Sequence, residues 1–512
     1  MPDIVISPQF SQILENLENG RGHIFITGKA GTGKSTLLQH FRLHTKIPLV
    51  VLAPTGVAAI NVGGETIHSF FRFAPNITKK EARSDAFFTE DRTLYKKLDM
   101  IIIDEISMVR SDLLDCVDTY LRIVRDDDRP FGGIRMVFFG DLYQLPPVVT
   151  SREYETFRTL YQSEWFFDSQ VMRGIMESET ESFTMVELET IYRQNDPDFI
   201  SLLGSVRMNA IANEHIEKLN SRVNKNEEND THPPITLTGR RDTAAQINQD
   251  QLAKLPGKKQ FYDSKHVGAF PDGHLPTIDQ LVFKVGARVM FVANDPEGRY
   301  VNGTLGVIKK LKADSVIVAI DEGKREEIEP HTWELTHTVL SKTKELEKEK
   351  LGEFTQLPLM LAWAVTIHKS QGKTFDKVVI NLEHGAFAHG QVYVALSRCR
   401  TFEGITLTHP VTAKDIKLNW RITQFLTSYT IRVSDGEQSR EEKYQRVADA
   451  IEMGTTIQLT YLKSLGEEST QTVTPKSLQE MSHQGKHFLG LSAVSESGKL
   501  LTFNAEKIMK VE

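Results

Sequence analysis

Residues His23–Phe41 read HIFITGKAGTGKSTLLQHF. An apolar stretch, a glycine-rich turn and an amphipathic stretch follow one another, which reads as strand, loop and helix. Gly28, Gly33, Lys34 and Ser35 fill the G-x-x-x-x-G-K-[ST] pattern of a phosphate-binding loop, with Ala30, Gly31, Thr32 and Thr36 in and beside it. Backbone N–H groups have to close around phosphate oxygens, and side chains at Gly28, Gly31 or Gly33 would block that approach. The following helix turns its positive N-terminal end to the same phosphates. Lys34 suits the β- and γ-phosphates of a nucleotide, and the Ser35 hydroxyl suits Mg²⁺.

Composition sets the outer limits. The chain has 512 residues, 40% of them apolar, which predicts several domains with real cores. A net charge of −7 gives no global positive field for nucleic acid, so any such partner needs a local basic channel. The two cysteines, Cys116 and Cys399, stand far apart and outside any metal-ligand pattern, which points to a reducing compartment. MPDIVISPQF lacks the basic and apolar regions of a signal peptide. Apolar runs fall short of the ~20 residues that a membrane span needs. The expectation is a soluble, cytoplasmic monomer.

Upstream of the loop, residues 7–20 predict a helix capped by Ser7 with Pro8 at its first position. Gln9 or Gln12 on it is placed to meet an adenine edge or to face solvent. Downstream, PLVVLAPTGVAAINVGGETIHSFF (48–71) begins as a doubly buried strand. Pro54, Thr55 and Gly56 form the loop at its carboxyl end, where open α/β sheets bind ligands. His68 and Phe70 add an imidazole and a ring suited to nucleic acid, against the alternative of core packing for the phenylalanines. LDMIIIDEISMV (98–109) is a buried strand ending in Asp104 and Glu105. Asp104 suits a water-mediated hold on Mg²⁺, and Glu105 suits polarising the attacking water. GDLYQLPPV (140–148) follows another strand. Gln144 there is placed to sense a γ-phosphate, and the stiff turn around Pro146 to carry the signal onward.

LETIYRQ (188–194) holds Arg193, a candidate phosphate contact. From 281 to about 353 the pattern changes to short alternating strands with Gly and Asn turns, a small β-barrel. The α/β texture returns in LPLMLAWAVTIHKSQGKTFDKVVINL (357–382), with Thr366, His368, Lys369, Gln371 and Gly372 in one cluster. GQVYVALSRCRTFEGITL (390–407) holds Arg398. Residues 432–438 read as a linker. Ser439 and Glu442 then make a capping box for a helix stopped by Gly454, and the tail alternates like a small β domain.

In order and spacing these motifs resemble superfamily 1 DNA helicases of the petite-integration-frequency (Pif) type. The resemblance covers roughly residues 5–425. It implies two RecA-like domains with ATP and Mg²⁺ between them: a first over 1–190 with a wedge insertion within about 72–97, and a second over 191–431 with an SH3-like insertion at about 285–356. Arg193 and Arg398 fall at the family's arginine fingers. Pro54, Thr55, Gly56, His68, Phe70, Pro146, Thr366, His368 and Lys369 fall in motifs that meet single-stranded DNA, and Gln371 and Gly372 face the nucleotide. The implied activity is ATP-driven 5′-to-3′ translocation on single-stranded DNA and unwinding of tailed duplexes. Two other classes stay open: a translocase that clears bound protein, and a nucleotide switch. Residues 439–512 are similar to a WYL domain, through Tyr461, Pro475 and the run Phe503–Ile508. The naming tripeptide is replaced by His487, Phe488 and Leu489. That resemblance implies an accessory DNA contact or a regulatory surface.

Overall fold

The apolar runs on either side of the phosphate loop pair into one sheet. The computed structural model describes residues 6–178, 180–225, 234–268, 275–320, 323–341, 345–382, 385–463, 468–483 and 486–512. The chain divides into two units, Met1–Lys417 and Leu418–Glu512.

In the first unit, β1 (His23–Gly28), β2 (Leu49–Ala53), β3 (Glu65–Thr66), β4 (Met100–Ile103), β5 (Arg135–Phe139) and β6 (Phe183–Leu188) form a sheet in the order β3-β2-β4-β5-β1-β6. Every pairing is parallel. Parallel strands need covered faces, and the inner strands β2, β4 and β5 are accordingly almost continuous in apolar residues, whereas the edge strands β3 and β6 are not. Helices α1 (Pro8–Asn19) and α2 (Lys34–His44) flank the sheet. Phe10, Ile13 and Leu17 of α1 join Ile24, Ile26, Leu37, Phe41 and Val137 in a core cluster. Ser7 caps α1 by accepting from the Phe10 N–H. The parallel arrangement brings the loops after β1, β2, β4 and β5 to one edge, so the quoted motifs meet there although they are far apart in sequence.

A second parallel sheet runs in the order 364–366, 235–238, 378–381, 405–407. The β-rich insertion is wider than the sequence texture suggested. It starts at Gln260 and returns at Leu361, with a five-stranded antiparallel sheet (288–291, 305–311, 316–320, 325–328 and 359–361) around Phe283, Val289, Phe291 and Ile308. A long hairpin, His331–Leu340 with Leu346–Gln356, extends from it. Part of the charged run KTKELEKEK forms its second strand, and residues 342–344 lie outside the described residues.

Within 72–97 the backbone forms two helices, Lys79–Phe88 and Thr93–Lys97. In the second unit, residues 432–437 are no linker. They continue the helix Trp420–Glu437, which is held because Ser434 and Gln438 bond to the backbone of strand Ile508–Val511. Helix Arg440–Met453 has Ser439 at its N-cap and Gly454 at its C-cap. Five antiparallel strands follow, in the order 500–504, 486–495, 468–483, 457–462, 508–511. Among the described residues no helix is long and apolar enough to cross a membrane.

Candidate active site and DNA-facing loops

The phosphate loop leaves β1 at Gly28 and enters α2 at Lys34. Gly31 and Gly33 have φ of 84° and 82°, a region that L side chains rarely adopt. A Cβ at Gly31 would also lie 2.4 Å from the Cβ of Arg193. Arg193 is therefore stationed against the loop, and the adjoining Tyr192 N–H donates to the Gly31 carbonyl at 2.9 Å. Lys34 turns back on its own loop and donates to the carbonyls of Gly28 (2.7 Å) and Lys29 (3.1 Å). Burial lowers its pKa, opposed by the charges of Asp141 and Glu105. Ser35 and Thr36 are exposed at the first turn of α2.

Asp104 and Glu105 follow β4. Glu105 has φ 51°, a strained turn for a non-glycine residue. Burial pushes the Asp104 carboxyl up to about 6, against the Glu105 N–H and Lys34, which favour the charged form. Burial and then the Asp104 charge push Glu105 up to about 7, opposed by Lys34 and Arg398. The influence of Lys34 and Arg398 on Glu105 places loop, carboxylates and the second half in one electrostatic neighbourhood.

The second half closes on this edge. Arg398 is 1% exposed, with Nε donating to the Val394 carbonyl at 2.9 Å and Nη2 to the Ser397 hydroxyl at 2.8 Å. Burial, then repulsion from Arg193, lowers its pKa to about 9. Arg193 donates to the Ser397 carbonyl at 3.3 Å. Among the described residues no carboxylate stands in ion-pair contact with either arginine. Two cations held by carbonyls and hydroxyls beside a phosphate loop are suited to an incoming anion. Gln144, 6% exposed, accepts at Oε1 from Gln371 Nε2 at 3.0 Å. Gly390 has φ 69°, and a Cβ there would lie 2.4 Å from the Gln144 carbonyl, so the halves touch backbone to backbone. Gly372 is exposed on the same loop as Gln371.

The DNA-facing candidates divide. Thr55 is exposed and caps the helix Gly56–Val62 by accepting from the Ala58 N–H, with Pro54 half-buried before it and Gly56 buried. His68 and Pro146 are half-buried, Lys369 is exposed and His368 is half-buried. Thr366 is 7% exposed, and its hydroxyl accepts from the Lys369 N–H at 3.2 Å. Burial, then the positive charge of Arg241, lowers the pKa of both His368 and Lys369. Phe70 is a correction. It is fully buried, edge-on to Phe71 and Tyr95 at 4.9 and 5.6 Å between ring centres, so its ring offers no face to a base. The aromatic cluster is core. Gln9 is also committed elsewhere: its side chain donates to the Glu187 carbonyl at 2.9 Å and accepts from the Glu189 N–H at 3.3 Å.

Four residues carry the geometry without having been singled out by spacing. The Tyr393 hydroxyl accepts from the Ala30 N–H at 2.9 Å. Gln194 Nε2 donates to the carbonyls of Ser397 (3.2 Å) and Cys399 (3.0 Å), fixing the segment around Arg398. Asp141 and Arg207 form a buried ion pair at 3.3 Å. Asp141 lies within GDLYQLPPV, so its motif was visible. Arg207 stands in an unremarkable helix and gave no signal.

Three comparisons show what the chain is similar to. A family model described as PIF1-like helicase matches residues 7–216. The ATP-dependent DNA helicase Pif1 of Bdellovibrio bacteriovorus is 32% identical over 420 residues, which are 79% of this chain and 88% of that protein. The human ATP-dependent DNA helicase PIF1 is 34% identical over 412 residues, 78% of this chain and 60% of that protein. Among solved structures, Bacteroides sp Pif1 in complex with ADP-AlF4 superposes with a TM-score of 0.75 at 36% identity, covering 83% of this chain and 97% of that one. Bacteroides Pif1 bound to ssDNA superposes with a TM-score of 0.60 at the same identity and coverage.

Proposed function

The chain belongs to the PIF1-like helicase family, and from that premise we propose how its residues carry out ATP-dependent unwinding of DNA. It is an ATP-dependent DNA helicase that uses single-stranded DNA as its track. The observation that carries the residue assignments is the closure of the second half on the phosphate loop. Arg193 sits against Gly31, and Arg398 lies within electrostatic reach of Glu105.

When ATP binds, loop N–H groups take the phosphates, and Lys34 exchanges its carbonyl partners for β- and γ-phosphate oxygens. Glu105, once ionised, orients a water and accepts its proton as the oxygen attacks the γ-phosphorus. The bond from phosphorus to the bridging oxygen breaks, and ADP leaves with that oxygen. Arg193 and Arg398 stabilise the charge spread over the transferred group. Gln144 and Gln371 report the loss of that group to the loop of Thr366, His368 and Lys369. The exposed Ser35 hydroxyl and the Asp104 carboxylate are hard oxygen donors at one edge, and they would hold Mg²⁺ there. Bound there, Mg²⁺ would neutralise phosphate charge and favour ionised Asp104.

Single-stranded DNA would lie across the loops after β2 and after strand 364–366, held by Thr55, His68, Thr366, His368 and Lys369. Contacts of this kind are to backbone and stacked bases, so binding should depend on salt more than on sequence. Family membership supports a 5′-to-3′ direction and a wedge within about 72–97 as parts of this reading. The helix Arg440–Met453 with its antiparallel sheet supports a WYL-like accessory module.

The test is the ATPase rate with and without a short single-stranded DNA, followed by strand displacement on a 5′-tailed duplex. Strong stimulation, lost in Lys34→Ala, is expected. A rate indifferent to DNA would turn the reading toward a nucleotide switch.

A further inference from the structure

Arg207 ends the helix Pro197–Arg207 and is 6% exposed. Its Nη2 lies 3.3 Å from Asp141 Oδ1 and 3.1 Å from Glu187 Oε1, and its guanidinium stands 4.1 Å from the centre of the Tyr143 ring. Asp141 is fully buried. Its Oδ1 also accepts from the Tyr143 N–H at 3.1 Å, and its Oδ2 accepts from Gln144 Nε2 at 3.2 Å. Gln144 Oε1 in turn accepts from Gln371 Nε2.

This chain of contacts has a direction. An ionised carboxylate only accepts hydrogen bonds. Gln144 must therefore give its amide nitrogen to Asp141 and turn its oxygen outward, and Gln371 must then donate. The charge on Asp141 thereby sets the sense of two amides on loops of two different sheets. A charge buried this deeply is costly to keep without a partner. Lys34 and Arg398 lie within electrostatic reach of it, and among the described residues Arg207 is the cation in ion-pair contact with it, so the sense of the relay leans on Arg207.

We propose that Arg207 is a positioning residue for coupling: by pairing with buried Asp141 it fixes the direction of a Gln144–Gln371 amide relay that links the nucleotide edge of the first sheet to the DNA-facing loop of the second. Arg207 touches no substrate and acts through Asp141. The proposal rests on the reading of Gln144 as the nucleotide sensor and of Thr366–Lys369 as a DNA loop.

The readout is the ratio of DNA-stimulated to basal ATPase kcat, measured on the full chain with an oligothymidylate. Gln371→Glu removes the donor and is expected to lower the ratio about tenfold. Asp141→Asn added to Gln371→Glu lets the relay run the other way. The new amide donates to Gln144 Oε1, and Gln144 Nε2 donates to the new carboxylate. The double variant is expected to recover the ratio by about threefold or more over Gln371→Glu. A merely structural role for Asp141 predicts further loss instead. Arg207→Gln, where it melts cooperatively, is expected to lower the ratio about tenfold, and Arg207→Lys to lower it less. No recovery in the double variant, or a ratio within about twofold of the parent in folded Arg207→Gln, overturns the proposal. The Gln371 substitutions sit on a half-buried loop residue, so that pair tests the direction of the relay even if Arg207→Gln does not fold. Arg207→Lys then tests the arginine's part, with a ratio within about twofold of the parent counting against it. An unmodified chain without DNA stimulation would overturn the proposed function instead, which keeps the two failures apart.

Discussion

The Tyr393 hydroxyl accepts a hydrogen bond from the Ala30 N–H at 2.9 Å, so a helix of the second half grips the phosphate loop by its backbone. Tyr393 is 3% exposed, and burial raises its pKa, which keeps the hydroxyl protonated. Tyr393→Phe keeps the ring and removes the oxygen. A net hydrogen bond is worth about 1 kcal/mol, so the loop should lose that much preorganisation for phosphate. The expected result is a KM for ATP raised about fivefold with kcat changed less. An unchanged KM would show that the loop holds its shape without the tyrosine.

Glu105 carries a prediction about pH. Burial and Asp104 hold its folded pKa at about 7, above the ordinary value of 4.5. Between those values the folded chain binds more protons than the unfolded chain, so stability falls as pH rises through that window. The contribution is fully present below the unfolded pKa and is lost as pH rises through about 7. Glu105→Gln removes this contribution. Thermal melts at pH 5 and pH 8 should show the parent losing stability on the order of 2 kcal/mol more than the variant between the two. The same ionisation makes hydrolysis rise with pH through the neutral range, and Glu105→Gln should abolish turnover while still binding nucleotide. Identical pH dependence in parent and variant would place the titrating group elsewhere.

Arg398 is a test of the arginine assignment. Its guanidinium is fully buried and, among the described residues, hydrogen-bonds to neutral carbonyls and a hydroxyl, so its charge is available to the transferred phosphoryl group. Arg398→Ala should lower kcat by a factor on the order of 10³ while nucleotide affinity shifts by much less. Arg398→Lys should not restore it, because a single ammonium cannot reproduce the fork. Normal hydrolysis in Arg398→Ala would leave Arg193 as the finger.

What could be seen in the sequence follows from how far apart the interacting residues are. The phosphate loop, Asp104–Glu105 and GDLYQLPPV are local patterns, since a turn and its flanking strand are set by neighbours. The parallel sheet then had to bring them to one edge. The partners of Arg207, Tyr393 and Glu65 lie 66, 363 and 272 residues away, and no local pattern records such pairs. Phe70 was misplaced for the same reason: an exposed stacking ring and a core ring read alike until Tyr95 and Tyr120 are seen around them. Residues 432–438 look like a linker in composition, yet 432–437 continue a helix held by the Ser434 and Gln438 bonds to the backbone of strand Ile508–Val511, 73 to 75 residues away.

Glu65 gives the last prediction. It sits at the edge strand β3 and is 3% exposed, yet its carboxylate is fully used by the long hairpin of the second half. Oε1 accepts from the Thr338 N–H at 2.7 Å and from the Thr338 hydroxyl, and Oε2 lies 3.0 Å from His337 Nδ1. Lys348 of the same hairpin donates to the Gly63 carbonyl, and Asn302 donates to Asn61 at 3.1 Å. The hairpin is therefore latched to the segment between Thr55 and His68 through one buried carboxylate and its neighbours. Glu65→Ala would leave the Thr338 N–H and hydroxyl buried without their acceptor, at a cost of about 1–3 kcal/mol for each group. The cheaper outcome is for the hairpin to leave and hydrate those groups. Amide hydrogen exchange should then speed up across 331–340 and 346–356, while β1, β4 and β5 stay protected. Glu65→Gln, which keeps an acceptor for the Thr338 N–H, should speed exchange less. Unchanged exchange in Glu65→Ala would mean that the Lys348 bond to the Gly63 carbonyl holds the hairpin without the carboxylate.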